Sequence, residues 1–232
     1  MTRVEPCPLA PLASSDAALV VDVIRATTTA VAFFEAGAVE VWFAPDHEHA
    51  LALKPEGFLV AGETQGKKPP GFDLGNSPRE ALAAPVPNRR VVMSTTNGTR
   101  AAFRAAEAAP RVALAALWNR KAAARWAARF ANTLLLAAGK EGRPGLDDTF
   151  VLGALARELG DARGDGALLA EALHARYPSP YPALADSEAG KALFEIGLEA
   201  DVRLASETDR SEVVPQLYAK EGPYLIFRRN GP

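Results

Sequence analysis

The sequence predicts an α/β protein in which a largely parallel sheet is covered by helices on both faces. Three observations carry that prediction. Short strand-like apolar runs alternate with stretches of helical spacing from about residue 18 to residue 160. Those runs are continuously apolar instead of alternating, as in strands buried on both faces. The 232 residues are 48% hydrophobic, and 26 Lys+Arg against 28 Asp+Glu leave a net charge of −2. A chain with this balance can bury a sizeable core and lacks the signature of disorder.

In chain order, Ala18–Ile24 reads as a buried strand broken only by Asp22, and Thr27–Ala38 as the following helix. Val39–Ala44 is the next strand. Asp46 is placed to cap a short helix ending at Lys54, where Pro55 and Gly57 stop it, and Phe58–Ala61 is a further buried strand. Gly62–Pro78 reads as a long loop, of the kind that in compact domains is usually functional. Strand Arg90–Ser94, a helix from about Thr99 to Ala109, strand Val112–Leu117 and a helix opened by Asn119 follow. Strand Thr133–Ala138 leads through a glycine-rich loop into a helix starting near Asp147. The remainder is more helical, at Gly166–Tyr177 and Ser187–Leu198, with Tyr177–Pro182 as a proline-stiffened link and Tyr224–Arg228 as a final strand.

Val20–Ala38 and Arg90–Ala109 both read as strand, threonine-rich turn and alanine-rich helix, aligning Thr29 with Thr99 and Phe33 with Phe103. This is either an internal duplication, about 15–85 and 86–165 within a single domain, or a coincidence in an alanine-rich chain.

Several function classes fall away. The lone Cys7 cannot form an intramolecular disulfide, and Met1–Pro11 carries Glu5 and three prolines where a secretion signal needs an unbroken apolar run. A cytoplasmic protein is expected. No apolar stretch approaches the roughly 20 residues of a membrane span, and the near-zero net charge gives no global field for nucleic acid or a membrane surface. A small-molecule enzyme is the leading class, and a homodimer is an ordinary expectation for one. A binding module and a structural subunit are the alternatives.

Ligands of open α/β sheets sit outside the carboxyl ends of the strands, so the strand-end loops deserve the closest reading. Asp22 lies in a buried strand, where a carboxylate is costly unless paired or metal-bound. Arg25, Thr27 and Thr28 follow it. These residues fit either a buried Asp22–Arg25 pair with a threonine cap, or a metal-binding Asp beside an anion-binding Arg and a helix N-terminus. Two phosphatase patterns fail. Ile24 stands where an aspartyl-nucleophile motif needs a second Asp, and Cys7 has Ala13 where a cysteine phosphatase needs Arg. Glu63 lies just past a strand end. Gly66-Lys67-Lys68 resembles the end of a P-loop, but neither the Gly62 spacing nor the residue after Lys67 fits. Taken alone, Asp73, Asn76 and Ser77 read better as turn chemistry than as a site. Ser94-Thr95-Thr96-Asn97-Gly98-Thr99-Arg100 is the sharpest feature, an anion cradle of backbone N–H groups, hydroxyls and a fixed charge before a helix. Lys140 and the adjacent Asp147 and Asp148 complete the set, the acids being either an N-cap with a solvated neighbour or metal ligands. His47, His49 and His174 lack zinc-ligand spacing and read as surface residues.

Taken in order, Val21-Asp22-Val23-Ile24-Arg25-Ala26-Thr27-Thr28, Ala61-Gly62-Glu63, Gly71-Phe72-Asp73-Leu74-Gly75-Asn76-Ser77-Pro78, Thr96-Asn97-Gly98-Thr99 and Ala138-Gly139 with Asp147-Asp148 resemble the 2-phosphosulfolactate phosphatase family. Gly197-Leu198 with Asp201 and Val213-Val214-Pro215 look like that family's tail. The resemblance implies a three-layer α/β/α fold. It also implies a magnesium-dependent phosphatase that converts 2-phospho-3-sulfolactate to 3-sulfolactate and phosphate, a step of coenzyme M biosynthesis.

On that resemblance Asp22, Glu63 and Asp147 or Asp148 are expected to hold Mg2+, with Asp22, Arg25, Asp73 and Asn97 as the catalytic group. Asp73 is the candidate general base or a further ligand. Arg25, Arg100 and Lys140 are expected to bind the anion, Gly98 and Thr99 to offer N–H groups to the phosphate, and Thr27, Thr28, Asn76, Ser77 and Thr96 to complete the substrate contacts. Attack by water and attack by an aspartate forming a phosphoenzyme are both open here. A phosphatase of another small anionic 2-hydroxy acid phosphate and a non-catalytic anion-binding protein are the alternatives.

Overall fold

The computed structural model describes residues 1–229. Strand β1 (Thr2–Glu5) is followed by β2 (Ala17–Val21) and the helix α1 (Ala26–Glu35), then β3 (Glu40–Phe43), α2 (His47–Ala52) and β4 (Leu59–Gly62). Helix α3 (Pro78–Ala83) leads to β5 (Arg90–Ser94), α4 (Gly98–Ala108), β6 (Val112–Ala115), α5 (Arg120–Ala127), β7 (Thr133–Ala137) and α6 (Leu146–Leu159). The two-residue strand β8 (Ala162–Arg163) precedes four helices, α7 (Asp165–Arg176), α8 (Pro180–Asp186), α9 (Glu188–Glu195) and α10 (Glu199–Ala205), and the chain closes with the hairpin β9 (Gln216–Glu221) and β10 (Tyr224–Arg228).

Among the described residues ten strands form one sheet in the order β4-β5-β3-β10-β9-β6-β2-β7-β1-β8. Two parallel wings, β4-β5-β3 and β6-β2-β7-β1-β8, are joined by the antiparallel hairpin. The continuous apolar runs are explained by what lies on each side. In β2, Ala18 and Val20 pack into one core with Phe33 and Phe34 of α1, while Ala17, Leu19 and Val21 pack into the opposite core with Phe150 and Leu155 of α6. Strand β7 divides in the same way, Leu134 and Leu136 against Leu135 and Ala137. In the other wing Val60, Val92 and Trp42 face a third cluster built on Phe58 and Phe72. Side chains alternate in direction along a strand, so a strand covered on both faces needs an apolar residue at every position. The result is the three-layer α/β/α arrangement expected.

Strand β2 is shorter than its apolar run because the chain turns at Asp22, whose carbonyl accepts from Thr27 N and Thr27 Oγ1, both at 2.9 Å. The segment before Pro78 is also less irregular than expected: Ala61 bridges Leu74, and Thr64 bridges Lys67. The link at Tyr177–Pro182 is corrected. Pro180 begins α8, because the first turn of a helix accepts the fixed φ of proline and does not need its missing N–H. Strands β1 and β8, helices α3 and α10 and strand β9 were not expected from the sequence. β9 has no fully buried position and carries an exposed Tyr218, so it lacks an apolar pattern. Among the described residues no helix is long and apolar enough to cross a membrane.

Candidate active site

A cavity of about 320 Å3 opens where the carboxyl ends of β2, β4, β5 and β7 meet, with α9 closing its far wall. It gathers Asp22, Arg25, Glu63, Asn76, Thr96, Asn97, Lys140, Asp147 and Asp148 from the residues singled out in sequence. The topology explains this assembly. Parallel strands end on the same side of the sheet, so loops distant in sequence converge there.

Asp22 is buried, and its Oδ1 accepts from Ala26 N at 3.1 Å. Its Oδ2 lies so close to Gly98 that a β-carbon there would stand 2.6 Å from it. Burial pushes the Asp22 carboxyl up to about 7, helped by the charges of Asp147 and Glu63 and opposed by the Ala26 N–H and Arg25. Asp147 is raised to about 6, again chiefly by burial, against the N–H groups of residues 147 and 148 and the charge of Lys140. Asp148 is raised well above the usual carboxylate range by burial and by the charges of Asp147 and Asp22. Its two oxygens accept from Val23 N at 2.8 Å and Gly139 N at 2.9 Å, tying the first loop to the fourth. Glu63 does the same for the other pair of loops, accepting from Gly66 N at 2.8 Å and Thr96 N at 2.7 Å.

The buried Asp22–Arg25 pair that the first loop allowed does not form. Arg25 instead donates through Nη1 to Asp201 Oδ2 at 2.7 Å and through Nη2 to Gly66 O at 2.6 Å. Lys140 reaches Glu188 O at 3.4 Å, linking the fourth loop to α9. Asn97 Oδ1 accepts from Glu141 N at 3.2 Å and Arg100 Nη2 at 3.4 Å. Asn76 is buried in the cavity wall, with Oδ1 lacking a hydrogen-bond partner.

Other expected contacts lie away from the cavity. Asp73 is held by Lys54 at 2.6 Å and by Val60 N at 2.9 Å. Burial raises its pKa, but the Lys54 and Val60 hydrogen bonds outweigh that and hold it below the usual value. A general base needs reach to the reacting proton, which this position does not give. Thr27 and Thr28 spend their hydroxyls on the carbonyls of Asp22 and Val23. Thr99 N donates to Thr95 Oγ1 at 3.2 Å and its hydroxyl to Thr95 O at 2.7 Å, so the threonines of the cradle satisfy one another. Gly98 packs against Asp22 and Ala26, Ser77 caps α3 and donates to Asp201, and Arg100 is exposed outside the cavity lining. The reason is common to most of these: short hydroxyl side chains next to a helix start reach backbone partners before a ligand.

The sequence reading missed two kinds of residue. His47 was expected at the surface, yet it is half-buried and bridges Thr64 Oγ1 at 2.7 Å and Ser94 Oγ at 3.2 Å, bracing the strand ends beside Glu63. The cavity's apolar wall, Ile24 with Ala189, Ala192, Leu193 and Ile196, comes mostly from the C-terminal helices. Helix α9 follows another helix, α8, instead of a strand end, so no strand-end rule could point to these residues.

The family model for 2-phosphosulpholactate phosphatase matches residues 5–220. The chain is 53% identical to a probable 2-phosphosulfolactate phosphatase of Thermus thermophilus, over 98% of each chain. It is 46% identical to one of Deinococcus radiodurans, over 87% of this chain and 88% of the relative. A third, from Gloeobacter violaceus, is 35% identical over 90% and 91%.

Proposed function

The chain belongs to the 2-phosphosulpholactate phosphatase family, and on that footing we propose that it is a phosphoric monoester hydrolase releasing phosphate from 2-phospho-3-sulfolactate with magnesium bound in the strand-end cavity. One observation supports this beyond the family: five carboxylates, Asp22, Glu63, Glu141, Asp147 and Asp148, share that cavity with two cations, Arg25 and Lys140. A phosphorylated, carboxylated and sulfonated substrate is a polyanion. It cannot approach that many acids unless cations screen them.

Among the described residues no three acidic, histidine or cysteine side chains stand as a ready-made cage. Magnesium does not require one, because it binds through one or two carboxylates with waters and substrate oxygens. All the acids offer hard oxygen donors, and they repel one another in its absence. The residues therefore fit. Asp22 and Asp147 would hold the ion, with Glu63 and Asp148 behind them fixing the loops. When bound, magnesium supplies charge neutralisation at the phosphoryl oxygens. Arg25 and Lys140 would orient the anionic groups, and Asn97 would hold the 139–143 loop against the cradle. The apolar face of α9 excludes water from one side of the cavity.

Purified protein should release phosphate from 2-phosphosulfolactate in a screen of 2-phospho-2-hydroxy acids, and EDTA should stop it. Turnover unaffected by EDTA would remove the metal from this reading. A cleft that releases phosphate only from other members of the panel would reassign the substrate.

A second expectation concerns stability. The carboxyls of Asp22 and Asp147 sit at about 7 and about 6 in the fold against an ordinary 3.8, so the folded state binds more protons than the unfolded one between those values. Stability of the metal-free protein is then full below about pH 4 as far as these groups are concerned, and is lost as pH rises toward 7. Melting curves in EDTA should give a lower Tm at pH 8 than at pH 5.5. Magnesium should raise Tm at pH 8 and change it little at pH 5. An absence of any magnesium shift at pH 8 would speak against the assigned ligands.

A further inference from the structure

We propose that Asp201 is a positioning residue of the cavity: it holds the Arg25 guanidinium in the wall and makes the C-terminal helices part of the anion-binding surface. This rests on the reading that the cavity receives a phosphorylated anion. Arg25 and Asp201 are 176 residues apart, and their side chains are 3% and 1% exposed. Asp201 lies in the first turn of α10, and its other oxygen, Oδ1, accepts from Ser77 Oγ at 2.7 Å. Ser77 is in turn the N-cap of α3, accepting from Glu80 N. Arg25 continues the chain to Gly66 O, so one buried network joins the first loop, the Glu63 turn, the start of α3 and α10.

The competition around Arg25 gives the network its meaning. Arg25 shares the cavity with Asp22 and Glu63, carboxylates to which an untethered guanidinium would be drawn. There it would neutralise the acids that a metal needs and be lost to the anion. Asp201 stands outside the cavity lining and keeps the cation apart from the acids. Among the described residues Asp201 is the only carboxylate within 4 Å of the guanidinium, and charges this deeply buried attract strongly at such a separation. Stability alone is a poor reason for the pair, because a buried ion pair is often matched or bettered by apolar residues of similar size.

The test is a double-mutant cycle read by calorimetric binding of inorganic phosphate, with magnesium present. Arg25→Lys and Asp201→Asn should each weaken phosphate binding by about tenfold, and the double variant should be no weaker than the poorer single one. In hydrolysis, Asp201→Asn should act on KM more than on kcat. Asp201→Glu, which keeps the charge, should recover part of the affinity. Wild-type phosphate affinity in Asp201→Asn, losses that multiply in the double variant, or no phosphate binding by the wild type would each overturn the proposal. Should Asp201→Asn fail to fold, Ser77→Ala removes only the second tether and should weaken phosphate binding in the same direction; an unchanged affinity there counts against the proposal. If the wild type binds phosphate but hydrolyses no 2-phospho acid, the phosphatase reading fails while the cycle still decides the role of Asp201.

Discussion

Asp22→Asn should cost at least about a thousandfold in kcat, roughly 4 kcal/mol of barrier, while leaving the protein folded. The substitution is nearly isosteric and keeps an oxygen to accept from Ala26 N, so the turn into α1 survives. What goes is the charge that faces Asp147 and Glu63 across the cavity. That charge is poorly solvated, which is why the carboxyl is held at about 7, and the metal-free variant should therefore melt higher than the metal-free wild type at pH 8. Phosphate release and a pair of melting curves in EDTA check both parts. A variant that unfolds would instead mean that the Asp22 charge is needed for the fold. Activity lost with stability gained is the usual sign of a group kept for chemistry.

Gly98→Ala should damage the site without replacing any side chain that could do chemistry. The added β-carbon would stand 2.5 Å from the β-carbon of Ala26 and 2.6 Å from Asp22 Oδ2. The carboxylate can swing away, but Ala26 lies in the buried first turn of α1 and has no flexible end to move. Helix α4 must retreat, since rotating Asp22 alone leaves the clash with Ala26. Overpacking of this kind costs about 1–3 kcal/mol, a fall in Tm of roughly 2–12 °C for a chain of this size. Phosphate release should drop by more than about tenfold, since a displacement near 1 Å at the reacting centre has large kinetic effects. A variant with wild-type kinetics and Tm would show that the contact is not close in solution. Gly98 has ordinary helical backbone, so its importance lies in close approach, not in a left-handed φ.

The strands were readable because burial on both faces writes itself into consecutive residues: Leu19 and Val20 are both fully buried yet belong to different cores. The carboxyl-end rule then located Asp22, Glu63, Asn97 and Asp147 without knowledge of strand order. The same reading overcounted hydroxyls. Thr27, Thr28 and Thr99 lie where a ligand contact was expected, but each finds a backbone partner within five residues. Asp73 looked no different in sequence from the cavity acids, and only its contact with Lys54 shows it to be structural.

Composition, apolar runs and the acids at strand ends sufficed for the fold class and for most of the cavity, because these are local properties of a strand and the turn after it. The pairing of charges was decided by the tertiary structure alone. Arg25 lies three residues from Asp22 and is bound to Asp201, 176 residues away. Asp148 reaches back 125 residues to Val23. Which carboxylate neutralises a buried guanidinium, and which remains for a ligand, depends on depth and separation in space, and neither quantity is carried by position along the chain.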